Sequence, residues 1–494
     1  MFSEFKQLSK HSLIFGAGPV LGSLIGFILV PIYARFLGPS DYGILEILGR
    51  SSEIIGTILG CGLGGAAIRY YYEYKEKGEL AGNQVFTTSL IFLFILSSIF
   101  LTPIFIFSGS ISDVLFRSPK YSLLIRLVVL TFFFDFVFNI SLTAHQAKLE
   151  SFRYTVLSVG KFLCTIAVTI ILVVWLGLGI KGVLLSGLLS SLLFAFILGP
   201  QIFGKTKSLF EYKLLKGLLS FGLPFIPGGL LMFIVNNGDR YLLNYYGSST
   251  DVGIYALGYK LGAAIPLLTA TPFMKVWLPF MLDVSQKPHA ERVYSKTQTY
   301  LMVIMVTLCL PVAVFSQEIA VLFGGNAFRE AYTVIPLVLL SYILWCSTFV
   351  SETGIYLKKK TIYKPFIFLV GAVINIGLNL LLIPRLGFMG AAWATLGAFG
   401  AIAVSTFFVG RRFVLIRMEF GRLVKMVLLA LFIYYGSTFI GTPVKPSFVL
   451  LSKAALALFF PISLFLVRFF DLEERMAMER MRRKIQFRFA QLLA

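Results

Sequence analysis

The chain has 494 residues, of which 57% are hydrophobic, 15% aromatic and only 14% charged, and its mean hydropathy is +0.86. Soluble domains carry roughly 25% charged residues, so a soluble enzyme, a secreted scaffold and a disordered regulator are excluded, and the chain reads as an all-α polytopic membrane protein. The net charge of +21 would suggest nucleic acid in a soluble protein, but in a membrane protein its meaning depends on where the cations sit.

Apolar runs broken by charged or turn-forming residues predict about fourteen transmembrane helices. They fall near 12–35, 43–69, 85–108, 122–145, 154–176, 182–200, 218–245, 253–280, 297–316, 333–357, 365–384, 390–410, 424–441 and 450–469. An even number places both termini on one side. With both in the cytoplasm, the inner segments hold most of the cations, among them Lys75, Lys77, Lys148, Arg153, Lys205, Lys207, Lys358, Lys359, Lys360, Arg411 and Arg412. The outer loops hold only Arg117, Lys120, Lys181, Arg329, Arg385 and Lys445. That asymmetry obeys the positive-inside rule and accounts for the charge without a nucleic-acid partner.

No connection between spans exceeds about 20 residues, far short of a domain, and no phosphate-binding G-x-x-x-x-G-K-[ST] loop occurs. Cys61, Cys164, Cys309 and Cys346 lie singly in apolar runs, and His11, His145 and His289 are far apart. Neither set has metal-ligand or disulfide spacing. The expectation is therefore no cofactor, no metal and no enzyme, but movement of a solute across the bilayer.

The chain repeats at an offset near 210. Leu37-Gly38-Pro39-Ser40-Asp41-Tyr42-Gly43-Ile44 matches Tyr246-Gly247-Ser248-Ser249-Thr250-Asp251-Val252-Gly253-Ile254, which sets Arg50 opposite Lys260. Phe15-Gly16 with Pro19 matches Phe221-Gly222 with Pro224, and Arg153 with Val159-Gly160 matches Lys364 with Val370-Gly371. Six spans per repeat keep the same orientation in both, hence a parallel repeat. The expected organisation is a six-helix lobe over 1–205, a second over 206–412, two extra helices over 413–469 and a basic amphipathic cytoplasmic tail over 470–494. In that tail Met478, Met481, Ile485, Phe489 and Leu492 form an apolar stripe among Arg480, Arg482, Arg483, Lys484 and Arg488, the pattern of a helix lying on an anionic leaflet or of a simple topological anchor.

Val30-Pro31-Ile32-Tyr33-Ala34-Arg35-Phe36-Leu37-Gly38-Pro39-Ser40-Asp41-Tyr42-Gly43 resembles the opening signature of the bacterial polysaccharide-export flippases, which include the O-antigen flippases. Asp239-Arg240-Tyr241-Leu242-Leu243, followed by Asp251-Val252-Gly253-Ile254-Tyr255, resembles their seventh-to-eighth-span signature. The resemblance implies a multi-pass protein of the bacterial cytoplasmic membrane, acting in surface polysaccharide or lipopolysaccharide biosynthesis. It would turn an oligosaccharide on a polyprenyl pyrophosphate from the inner to the outer leaflet by alternating access. Its energy would come from H⁺, from Na⁺ or from simple downhill flow of the cargo, and a polysaccharide polymerase and chain-length proteins are candidate partners. The wider superfamily holds multidrug and toxin extruders and lipid II flippases, so a drug or cation antiporter is the main alternative; a membrane-embedded glycan polymerase is disfavoured by the short outer loops.

Charges inside spans are costly and normally face a cavity or a partner. Arg50, Lys260, Arg240, Arg126 and Lys161 are the candidate substrate-binding cations, suited to a pyrophosphate. Asp135, Glu53, Glu46 and Asp239 are the candidate ion-coupling carboxylates. Against these roles, Glu46, Arg50 and Glu53, spaced four and three apart, also form a self-neutralising triad on one helix face. Arg126 and Arg240 are also long enough to snorkel outward. Asp239 and Arg240 point about 100° apart on a helix, so their adjacency in the chain does not by itself make them a pair. Pro19, Pro31, Pro224 and Pro227 are the hinge candidates, each able to break a helix ladder or merely to kink it.

Overall fold

The computed structural model describes residues 2–203, 210–439, 446–471 and 474–476, with side chains for all of these but 2–26, 28, 203, 275 and 446. Among the described residues there is no strand. In lipid this is the expected outcome, because a helix satisfies its backbone groups within one segment. The helices are α1 (Phe2–Leu59), α2 (Leu63–Lys75), α3 (Glu79–Ile106), α4 (Ser108–Phe116), α5 (Ser122–Ala147), α6 (Ser151–Thr169), α7 (Gly179–Phe203), α8 (Tyr212–Gly222) and α9 (Ile226–Tyr246). They continue with α10 (Ser249–Val284), α11 (Ala290–Val314), α12 (Ser316–Gly324), α13 (Val334–Ser351), α14 (Thr353–Leu357), α15 (Tyr363–Leu386), α16 (Phe388–Phe413), α17 (Phe420–Thr438) and α18 (Pro446–Leu466).

Thirteen helical stretches among the described residues are long and apolar enough to cross a membrane. The expected spans 12–35 and 43–69 count there as one, Leu29–Lys75, and much of the first falls on residues whose side chains are not described. Within α1 the helical geometry breaks at Gly38, where φ is 72°, a backbone region that glycine enters without a Cβ penalty. The turn between the first two expected spans therefore sits at this residue.

Packing divides the chain into two compact units. One gathers Met1–Lys260, Ala320–Val334 and Lys364–Ala401, so it holds α8 and α9 together with the first six expected spans. Its core is a continuous apolar cluster that includes Ile44, Leu48, Leu63, Tyr71, Phe86, Leu90, Val129, Phe136 and Leu218. The other gathers Leu261–Ile319, Ile335–Tyr363 and Ile402–Ala494, with a core of Trp277, Met281, Val284, Tyr294, Val350 and Ile416. Phe273 stacks on Trp277 there, ring centres 5.4 Å apart.

In the first unit the backbones of α1 and α10 approach unusually closely. A Cβ placed on Gly43 of α1 would lie 1.8 Å from the Ser249 carbonyl oxygen, and one placed on Gly253 of α10 would lie 2.0 Å from the Pro39 carbonyl oxygen. Only glycine at both positions lets these helix starts touch. Gly43 and Gly253 are also equivalent at the 210-residue offset, so each packs against its own repeat mate.

Of the hinge candidates, Pro31 lies within α1, whose geometry is interrupted at Gly38 instead. Pro224 sits in a 3₁₀ turn, Leu223–Phe225, and Pro227 in the first turn of α9. Both positions tolerate a missing N–H, and together they divide the expected seventh span into α8 and α9. Pro19 and the tail beyond Met476 lie outside the residues whose side chains are described.

Candidate functional site

Three helices of the first unit bring charge to one carboxylate. On α1, Tyr42, Glu46, Arg50 and Glu53 follow one another at spacings of four, four and three and share a face. Arg50 donates from Nε to Glu46 Oε1 at 2.8 Å and from Nη1 to Glu53 Oε2 at 2.8 Å. From α10, Lys260 Nζ reaches Glu46 Oε2 at 2.7 Å and donates to the Tyr42 hydroxyl at 3.1 Å. From α9, Arg240 Nε donates to Glu46 Oε1 at 3.2 Å. The Glu46 side chain is only 5% exposed, whereas Arg50 and Lys260 are 27% and 32% exposed.

Arg240 extends the cluster inward. Its Nη1 donates to Asp239 Oδ1 at 2.9 Å and to the Asn236 carbonyl at 2.7 Å, and its guanidinium lies 4.4 Å from the centre of the Tyr259 ring. Asp239 also accepts from the Tyr255 hydroxyl and, at 3.2 Å, from Thr395 of α16. Arg240 and Asp239 are fully buried. Three cations and three carboxylates thus compensate one another. Charge removed from water is retained on such terms, since an unpaired buried ion costs several kcal/mol.

A second pair lies among α5–α7. Asp135 of α5 accepts from Lys161 Nζ of α6 at 2.5 Å and from Ser191 Oγ of α7 at 2.5 Å, and Lys161 lies 4.2 Å from the Phe138 ring centre. Asp135 and Glu53 both line two cavities of about 360 and 380 Å³. Polar groups on these walls, Thr57, Asn139 and Thr143 in one and Ser52 and Thr131 in the other, suit them to water and a small ion.

Comparison with known families settles the ancestry. The family described as polysaccharide biosynthesis protein matches residues 8–286, more than half of the chain. The chain belongs to that family. Among relatives of this family member, the Lsg locus protein 1 of Haemophilus influenzae is 23% identical over 345 residues, covering 68% of this chain and 82% of its own. A membrane protein of the same organism is 22% identical over 285 residues, covering 56% and 66%. The fold is similar to that of the lipid II flippase MurJ in its inward closed conformation, with a TM-score of 0.73, 14% identity and coverage of 92% and 99%. It is also similar to an inward-facing MATE-family multidrug resistance transporter, with a TM-score of 0.64, 15% identity and coverage of 81% and 97%.

In this polysaccharide biosynthesis protein the charges are paired more extensively than one helix face indicates. Arg240 does not snorkel; it is enclosed, and its long side chain folds back onto Asp239 despite the angular separation of the two on α9. The triad of Glu46, Arg50 and Glu53 exists, but Glu46 also holds Arg240 and Lys260, so the cluster is larger than one helix face. Asp135 has a cation, contributed by the neighbouring helix. Among the candidate cations, Arg50, Arg240, Lys260 and Lys161 each pair with a carboxylate. Arg126 stands apart, exposed, donating to Ser108 at 2.9 Å and lying 5.4 Å from the Phe105 ring centre.

Sequence reasoning missed Tyr42, Tyr255, Tyr259, Thr395 and Ser191. Tyr42 was within reach of it, four residues before Glu46 on the same face. So was the Asp135–Lys161 pair, because the two lie at similar distances from the turn between α5 and α6 and a helical hairpin sets them side by side. Thr395 and Ser191 carry no such local signal.

Proposed function

We propose that this chain is a flippase that turns a polyprenyl-pyrophosphate-linked oligosaccharide from the cytoplasmic to the outer leaflet of a bacterial inner membrane. In this reading both termini are cytoplasmic and the two six-helix repeats rock in alternating access. The observation that carries it is the buried Glu46 carboxylate gripped by Arg50, Arg240 and Lys260 from three helices. Glu46 acts as a resident anion that keeps a phosphate-binding set of cations assembled while the cargo is absent.

A pyrophosphate offers more acceptor oxygens and more charge than one carboxylate. On its arrival, Arg50 and Lys260, the partly exposed members, exchange Glu46 for phosphate oxygens. Arg240, enclosed and with one terminal nitrogen free of a protein partner among the described residues, positions Glu46 and Asp239 as that exchange proceeds. Because Arg50 lies on α1, Arg240 on α9 and Lys260 on α10, loosening their common partner loosens the attachment of α1 to the other two. Arg126 serves as an outlying cation.

Asp135 and Lys161 supply coupling. Protonation of Asp135, or Na⁺ binding between Asp135 and Glu53 in the shared cavities, releases Lys161 from its partner. The same carboxylate-lined cavities favour the second reading, a drug or cation antiporter, because a cationic solute is attracted to them. The discriminating experiment deletes the gene and follows both phenotypes. Accumulation of lipid-linked sugar on the cytoplasmic face, with loss of a surface glycan, supports the flippase. Hypersensitivity to cationic dyes with a normal surface glycan refutes it in favour of the antiporter.

A further inference from the structure

The helices that carry the charge cluster present a different face to an apolar void. On α1 the charged stripe is Glu46, Arg50 and Glu53, while Leu48, Ser51 and Ile55, three and four apart, lie on an adjacent face. On α9, Asn236, Asp239 and Arg240 face the charges, while Ile234, Gly238 and Tyr241 form the adjacent stripe. Those adjacent stripes, with residues of α3, α4, α5 and α15, line a partly open cavity of about 600 Å³. Its lining is aliphatic and aromatic except for the hydroxyls of Ser51 and Tyr241, which lie 3.0 Å apart and bond each other.

The cavity is partly open, and water has little to bond on so apolar a lining. This void has the size of a ligand site, roughly 300–1,000 Å³. We propose that it seats the first isoprene units of the cargo's polyprenyl chain while the pyrophosphate engages Arg50 and Lys260. The assignment rests on the flippase reading and adds a place for the tail. Arg50 precedes Ser51 on α1 and Arg240 precedes Tyr241 on α9, so the charge cluster and the cavity's two hydroxyls are carried by the same two helices. An amphipathic molecule whose anionic head is joined directly to a branched hydrocarbon matches that order. A phospholipid lacks the pyrophosphate that the cations select.

The test uses the full chain in lipid nanodiscs with a diazirine-bearing farnesyl pyrophosphate as photoprobe, crosslinks being mapped by mass spectrometry. Crosslinks are expected on the cavity walls in α1, α5 and α9, displaced by unlabelled polyprenyl pyrophosphate and not by phosphatidylglycerol. Gly238→Phe and Val128→Trp fill the void and should each lower this labelling about tenfold, equivalent to about 1.4 kcal/mol of lost contact. An added Cβ at Gly238 meets only Ile234, at 3.6 Å, so Gly238→Ala should retain labelling and serves as the folding control. Labelling elsewhere that polyprenyl pyrophosphate displaces and the filling variants leave unchanged overturns the tail site while the flippase reading stands. Cavity labelling that phosphatidylglycerol displaces equally well makes it an ordinary lipid pocket and also overturns the proposal. Absence of any displaceable labelling overturns both.

Discussion

Replacing Glu46 with glutamine removes one negative charge from a group of three cations and three carboxylates while keeping its shape. In the native protein its oxygens lie 2.8 Å from Arg50, 2.7 Å from Lys260 and 3.2 Å from Arg240. At an effective dielectric of about 20, each of the two shorter contacts carries roughly 6 kcal/mol of gross attraction, most of it spent against desolvation. The measurable quantity is the cost of leaving cations unmatched, about 3–5 kcal/mol for a buried pair broken on one side. That is a large part of a typical stability of about 5–15 kcal/mol. Thermal unfolding in detergent should show Glu46→Gln strongly destabilised. Glu53→Gln, at a side chain 49% exposed, should change stability by no more than about 1 kcal/mol. Polyprenyl pyrophosphate should stabilise Glu46→Gln more than the native protein, because its anion supplies the negative charge that the cations have lost. A Glu46→Gln variant as stable as the native chain, with no greater stabilisation by that ligand, would refute the resident-anion argument.

Arg50→Ala and Lys260→Ala should each cut transport per folded molecule about ten- to a hundredfold, the equivalent of the roughly 1.5–3 kcal/mol of a charge-assisted hydrogen bond, with Arg50→Lys partly active. Native transport per molecule in Arg50→Ala would remove it from binding. Asp135→Asn should abolish the dependence of transport in proteoliposomes on an imposed H⁺ or Na⁺ gradient, and an unchanged gradient dependence would exclude Asp135 from coupling. In the second unit, burial alone would push the Glu474 carboxyl up, but bonds from Arg422, the Asp471 N–H, Tyr300 and Lys296 outweigh it and hold it down at about 2. A carboxylate lowered on folding stabilises above its unfolded value of about 4.3 and loses that contribution as pH falls toward the folded one. The stability difference between native and Glu474→Gln proteins should therefore be constant from pH 7 to about 5 and shrink between about 4.3 and 2. A difference that persists at the acid end would contradict the clamp.

Much of this molecule is legible in one dimension because the bilayer restricts the possibilities. Hydrocarbon demands long apolar helices, so the spans, the all-α class and the cost of charges inside them follow from local composition alone. Repetition at 210 residues, visible in Gly38 through Ile44 and Gly247 through Ile254, also located the equivalence of Gly43 with Gly253 and of Arg50 with Lys260. Helical periodicity placed Glu46, Arg50 and Glu53 on one face for the same reason, since residues of one helix obey a fixed geometry. Which carboxylate each cation would choose was decided only by tertiary structure. Lys260 and Arg240 reach Glu46 from 214 and 194 residues away, and Thr395 reaches Asp239 from 156, distances over which no helical period acts. The exclusion of water around Glu46 leaves its charge no solvent partner, and the packing of α1, α9 and α10 then supplies the cations that it requires.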